Sequence, residues 1–305
     1  MIEVTTQMAA LVVCGLLWRV FSPAGLGADQ VRSAVTSLVY YLLLPALVLS
    51  VLWQAPLGVS SVKIAFVAAS GVLGGMGLMW LYSRGRHMGA RQTGAMVLAA
   101  GFPNATYLGL PVLESTFGEA GRSMALQYDL FACTPLLLSV GMMVADHYGN
   151  DGQRQGNALA DLIRVPPLWG AAAGVTLNLA GVPMSDWVGD FLDRLGSTVP
   201  ALMLLALGMG LSARYVSWQT VTRILPVLVI QLALMPVLVW WLATSVGLSG
   251  DLLVGVVLEA AMPAMVLGIV ICDRYGLDTG LYATVVTVST ALGLVTLPLW
   301  FDWLT

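Results

Sequence analysis

Two carboxylates stand in stretches that hold almost no other charge: Asp129 in SMALQYDLFACTPLLL and Glu259 in GVVLEAAMPAMVLG. An acid inside such a stretch is costly unless it is paired, hydrated or protonated, so it marks a site for an ion, a proton or a polar ligand. Prolines lie close to both. The segment AAGFPNATYLGLPVL holds Pro103, Asn104, Gly109 and Pro111, and Pro263 follows Glu259 by four positions. Proline lacks the helical N–H and clashes with the carbonyl four residues back. Pro263 is therefore expected to free the carbonyl of Glu259, and Pro111 that of Tyr107. Freed carbonyls attract cations, while the amino ends of broken helices attract anions. With Asn104, Thr106 and Gln127, the carboxylates Asp129 and Glu259 form a candidate set of oxygen ligands for a small cation such as sodium. The alternative is a carboxylate pair that shares a proton.

The elements that must position these groups follow from composition. Of 305 residues, 58% are hydrophobic and 10% charged, with a net charge of -3. Soluble domains carry roughly 25% charged residues, so this chain lacks the surface that holds water. It has instead repeated apolar runs of the roughly 20 residues that carry a helix across about 30 Å of hydrocarbon. Ten spans are read, near 5–21, 31–54, 62–82, 93–113, 123–145, 162–181, 191–211, 220–245, 251–271 and 279–301. The runs are continuously apolar, without the alternation of barrel strands. The expected fold is thus an all-α integral membrane protein of ten transmembrane helices. No basic stripe suggests nucleic acid. Cys14, Cys133 and Cys272 are too far apart for a zinc or disulfide framework. His87 and His147 have no nearby metal-ligand partner.

Lys and Arg in the loops set orientation. Ten spans put Lys63, Arg122 and Arg194 on one face, with both termini. The other face collects Arg19, Arg32, Arg84, Arg86, Arg91, Arg154, Arg164, Arg214, Arg223 and Arg274. The Arg-rich face is expected in the cytoplasm and both termini outside it. Depth is then comparable for the two acids. Asp129 lies seven residues past Arg122 and Glu259 eight past Asp251, so at 1.5 Å per residue each is roughly 10–12 Å deep. They are expected to meet.

The halves resemble each other. LPALVLSVL around Pro45 and VPALMLLAL around Pro200 share Pro-Ala-Leu at a separation of 155 residues. Adding 155 to Asn104 gives Glu259. Five spans per half, an odd number, put the second copy in from the opposite face, which makes the repeats inverted. Residues 1–145 form the first repeat, 146–161 a cytoplasmic central loop and 162–305 the second repeat.

In their order along the chain, NATYLGLP, LPALVLSVL, RVPPLWGAAAGV, LALGMGLS and the ending AAMPAMVLGIVICDRYGLD through VSTALGLVTLPLW resemble the auxin efflux carrier family and its bacterial members. The resemblance covers essentially the whole chain. It implies two inverted five-helix repeats, broken helices four and nine that cross at their prolines, and a transport part moving against a scaffold part. It further implies a small carboxylate as substrate, a homodimer, and a place in the inner (plasma) membrane. By the same resemblance Asn104 and Pro111 fit the substrate-contacting crossover of the first repeat and Pro263 that of the second. Thr106, Tyr107 and Met262 beside them complete the expected substrate contacts. Glu259 is similar to the acidic residue beside the crossover of the more distant sodium–bile acid symporters, where it binds sodium.

The expected function is a secondary carrier of a small organic anion with alternating access of elevator type. Asp129, Glu259 and Gln127 are its expected ion-coupling residues. No cofactor is expected, and the coupling ion is Na+ or H+. No GxxxxGK[ST] motif offers ATP as a driving force. The runner-up is a sodium-coupled importer of the bile-acid symporter type. More distant are a channel and an intramembrane enzyme, for which no HExxH or GxSxG is present.

Overall fold

The computed structural model describes residues 2–86, 88–149, 165–211 and 218–305. Most of the predicted central loop, from residue 150, lies outside the described residues, as do His87, Arg154, Arg164 and Arg214. Among the described residues every predicted span is built of helix, the fourth and ninth with an interruption, and no β-strand forms. In hydrocarbon, backbone groups have no water to bond, and a helix pairs them within its own segment.

The helices are α1 (Ile2–Phe21), α2 (Ala28–Gln54), α3 (Val59–Arg84), α4 (Ala90–Gly101), α5 (Ala105–Tyr148), α6 (Pro166–Leu179), α7 (Asp186–Gly210), α8 (Trp218–Ser245), α9 (Gly250–Ala260), α10 (Gly268–Tyr275) and α11 (Thr279–Leu304). Six of them, α2, α3, α5, α7, α8 and α11, are long and apolar enough to cross a membrane. Large apolar side chains such as Phe21, Leu179, Trp241 and Leu299 face outward, as suits a surface bathed in lipid rather than water. The helix α5 is two arms joined at Gly118, whose left-handed φ of 62° turns the chain. Across this turn Arg122 pairs with Glu114 at 2.5 Å.

Four prolines within these helices follow widened turns, whereas Pro226 in α8 and Pro298 in α11 do not. Five-residue π-turns at Val39–Leu43, Ala105–Gly109, Asp129–Cys133 and Ile230–Leu234 each end two residues before a proline, namely Pro45, Pro111, Pro135 and Pro236. A π-turn carries the chain past the carbonyl that the pyrrolidine ring would strike. Pro111 therefore does not break its helix, contrary to the sequence expectation.

The helices pack as two bodies. In the first, α1 lies along α7 and α6 along α2. The backbones touch where Gly15 meets Gly208 and where Gly170 and Gly174 meet α2. Small residues of this kind let apolar helices approach without help from water. In the second body, α3 packs on α4 and α8, α9 on α8 and the first arm of α5, and α11 on α4, α8 and α10.

Candidate functional site

The helical path stops at two places and the two stops meet. Phe102, Pro103 and Asn104 separate α4 from α5, and residues 261–267 separate α9 from α10. Pro103 lies opposite Ala264 in an antiparallel bridge. The Asn104 N–H donates to the Pro263 carbonyl at 2.7 Å, and the Met265 N–H donates to the Phe102 carbonyl at 2.9 Å. Each break thus supplies partners that the other has lost. Neither proline offers an N–H, so the donors of the bridge are Asn104 and Met265, each the neighbour of a bridged residue.

Side chains satisfy what remains of the second break. Gln231, from α8, donates to the Met262 carbonyl at 2.9 Å. Tyr282, from α11, donates to the Met265 carbonyl at 3.0 Å, and Ser289 accepts from the Ala264 N–H at 3.1 Å. All three are fully buried. A buried carbonyl or amide without a partner costs about 1–3 kcal/mol, so these residues hold the break open in one shape. Sequence reading missed them. Their signal was a polar group in the middle of an apolar span, but nothing local names its partner.

A cavity of about 440 Å³ lies beside the crossing, between the two bodies. Asn104, Thr106, Tyr107 and Asp129 line it from one side, and Thr36, Tyr40 and Met203 from the other. Asp129 accepts hydrogen bonds from the hydroxyls of Thr106 and Thr134, the latter at 3.0 Å. The Nδ2 of Asn104 is buried and has no hydrogen-bond partner among the described residues. It is a free donor at the wall of the cavity. Hydroxyls are abundant there, and among the described residues no Lys or Arg lines the space.

Glu259 sits one shell deeper. It is fully buried, and both its carboxyl oxygens lack a hydrogen-bond partner among the described residues. Its carboxyl group lies against Gly109, in the π-turn that follows Asn104. The Tyr128 hydroxyl is likewise buried and unpartnered among the described residues. Glu259 is within electrostatic reach of Asp129, yet no hydrogen bond joins them and Glu259 does not line the cavity.

The structure thus gathers Asn104, Thr106, Tyr107 and Asp129 and separates others expected beside them. Pro111 is helical and buried in α5, away from the crossing, because the widened turn before it relieves its clash. Met262 and Pro263 belong to the second break but lie behind the cavity wall. The Glu259 carbonyl is not free, since it accepts from the Met262 N–H at 3.2 Å. Nor does the 155-residue offset hold here: Asn104 lies in the first break, while Glu259 is in the last turn of the helix before the second. Gln127 faces a different cavity of about 410 Å³ with Arg122, Ser123 and Asp193. There its Nε2 donates to Ser123 at 2.9 Å and its Oε1 has no partner among the described residues.

The two cavities lie at successive depths along the same helices. The first touches α2 at Thr36–Leu44 and α5 at Asp129–Leu138; the second touches them at Ser50–Ala55 and Glu119–Gln127. Leu47, Val48 and Tyr128, all fully buried, fill the turn between. The arrangement offers a polar recess on each side of an apolar seal.

Residues 4–151 and 153–301 match the family model described as a membrane transport protein. An uncharacterised transporter of Methanothermobacter thermautotrophicus is 28% identical over 301 residues, covering 98% of this chain and 96% of that protein. An uncharacterised transporter of Methanocaldococcus jannaschii is 25% identical over 229 residues, 72% of each chain. The uncharacterised transporter YfdV of Escherichia coli K12 is 24% identical over 207 residues, 67% of this chain and 65% of its own. With crossed helix breaks, a lined cavity and a family match over nearly its full length, this chain belongs to the membrane transport protein family, that of the auxin efflux carriers.

Proposed function

We propose that the chain is a secondary carrier of a small organic anion and that the cavity beside the crossing is its substrate site. The observation that carries this reading is the free amide donor of Asn104, buried at the wall of that cavity. A carboxylate placed there accepts from Asn104 and from the nearby hydroxyls, as buried anions require. Charge balance adds a second element. An anion beside Asp129 would double the buried negative charge, so a proton or a sodium ion must travel with it.

In this reading ten spans form two inverted repeats, residues 1–145 and 162–305, with a cytoplasmic loop between them. Reciprocal packing supports it: α1 of the first half lies on α7 of the second, and α6 of the second on α2 of the first. The body of α3, α4, α5 and α8–α11 moves against that of α1, α2, α6 and α7, and the two recesses take turns facing opposite sides. The protein lies in the inner membrane with both termini outside the cytoplasm. The test is counterflow of labelled small carboxylates, malonate and malate among them, into liposomes holding the purified protein. Exchange by wild type that Asn104→Ala weakens at subsaturating substrate supports the reading; equal exchange by both sinks it.

A second reading, sodium-coupled import, draws on Glu259, whose two unpartnered oxygens suit a cation. A ligand that binds only the folded state stabilises it by RT ln(1 + [L]/Kd). Sodium should then raise the melting temperature over choline at fixed ionic strength, and Glu259→Gln should remove the increment. No response in wild type leaves proton coupling.

A further inference from the structure

A third cleft, of about 420 Å³, lies apart from both recesses, lined by residues at the ends of α3, α4, α8 and α11. Arg86 reaches it from just past α3 and Arg223 from the second turn of α8. Gln92 and Thr222 add polar groups, and Met88, Met96 and Leu281 make an apolar floor. Neither arginine has a carboxylate partner among the described residues, whose ion pairs involve Arg19, Arg32 and Arg122. Tyr82 covers part of the Arg86 guanidinium, with the ring centroid 5.6 Å away.

Two guanidinium groups brought into one cleft from different helices repel each other unless an anion lies between them. The depth of the cleft is marked by its neighbours: Arg84 stacks on Trp80 at 4.0 Å, and Trp218 is 81% exposed. Such aromatic and basic residues gather where hydrocarbon gives way to headgroups. On the same two helices, Leu81 and Leu225 are exposed and offer apolar surface for acyl chains.

We propose that this cleft binds a phosphate-bearing anion, clamped between Arg86 and Arg223, and that the headgroup of an anionic lipid supplies it. Guanidinium suits the task because its planar fork gives paired hydrogen bonds to phosphate oxygens. The site is independent of the substrate cavity, and its occupancy does not depend on what the protein carries.

The experiment compares the full-length protein in neutral detergent with added phosphatidylglycerol, phosphatidylcholine or inorganic phosphate, the last at matched ionic strength. Thermal stability and lipid adducts in native mass spectra are read for wild type, Arg86→Gln, Arg223→Gln, the double variant and Arg84→Gln. Phosphatidylglycerol should raise the melting temperature above phosphatidylcholine. The double variant should lose that increment, with apparent affinity down at least about tenfold, while Arg84→Gln keeps it. Because both arginines are at the surface, the lipid-free variants should melt near wild type. If the double variant does not fold, the single variants, each with a partial loss, carry the same test. A shift with inorganic phosphate equal to that with phosphatidylglycerol supports the clamp and assigns it to a soluble phosphate. Equal increments in wild type and all variants overturn the proposal.

Discussion

The carboxyl group of Glu259 lies directly against Gly109, so a single methyl added at Gly109 would overlap it. One residue stands in the last turn of the helix before the second break and the other closes the π-turn after the first. The contact therefore ties the two broken helices together a short way from their hydrogen-bonded bridge.

Gly109→Ala should lower stability by about 1–3 kcal/mol through overpacking, although alanine is otherwise the better helix residue. Glu259→Ala in the same chain should relieve much of that loss. Denaturant unfolding of the four proteins of this cycle in detergent gives the coupling. Strict additivity would mean that the two groups do not touch.

Asn104→Ala should leave the fold intact and weaken substrate. A hydrogen bond to a charged partner is worth about 1.5–3 kcal/mol, so apparent affinity should fall roughly ten- to hundredfold. Counterflow at varied substrate concentration reads this as a raised KM. Asn104→Asp should be worse than alanine, because it sets a second carboxylate beside Asp129.

Gln231→Leu should destabilise the protein by about 1–3 kcal/mol, since the Met262 carbonyl loses its donor in a place without water. Thermal unfolding in detergent measures the loss. If Gln231→Leu melts with wild type, another group satisfies that carbonyl.

Arg122 and Glu114 close the turn at Gly118 and are mostly buried, with side chains 17% and 22% exposed. Removing either charge alone should cost more than removing both, because a lone buried charge keeps its desolvation penalty. Melting temperatures of Arg122→Gln, Glu114→Gln and the double variant decide this. A double variant less stable than either single one would argue against the pairing.

Much of this architecture is legible in the residues. Continuous apolar runs announced the helices, and Pro103 beside Asn104, like Pro263 after Glu259, marked where two of them break. Pro111 misled because a proline in a helix has two outcomes, a break or a widened turn, and surrounding packing chooses between them. The carbonyl of Glu259 misled similarly, for Met262 folds back to it as the chain leaves the helix. The depth argument brought Asp129 and Glu259 into one neighbourhood. It could not say that one would face the cavity and the other Gly109, because side-chain direction depends on the phase of each helix around its axis. Gln231 was visible as a polar intruder in α8, but its partner lies about 30 residues on.

The bridge between the breaks has a consequence for how the protein is made. The Asn104 N–H needs the Pro263 carbonyl, and the Phe102 carbonyl needs the Met265 N–H. Those partners are translated about 160 residues later, which at 5–20 residues per second is a wait on the order of ten seconds or more. During that interval the amino-terminal half sits in the bilayer with an unfinished middle, in need of a surrogate such as water, lipid headgroups or an insertion chaperone. Variants that weaken the bridge should therefore appear first as poor biogenesis, in the yield of membrane-inserted protein, before they appear as poor transport.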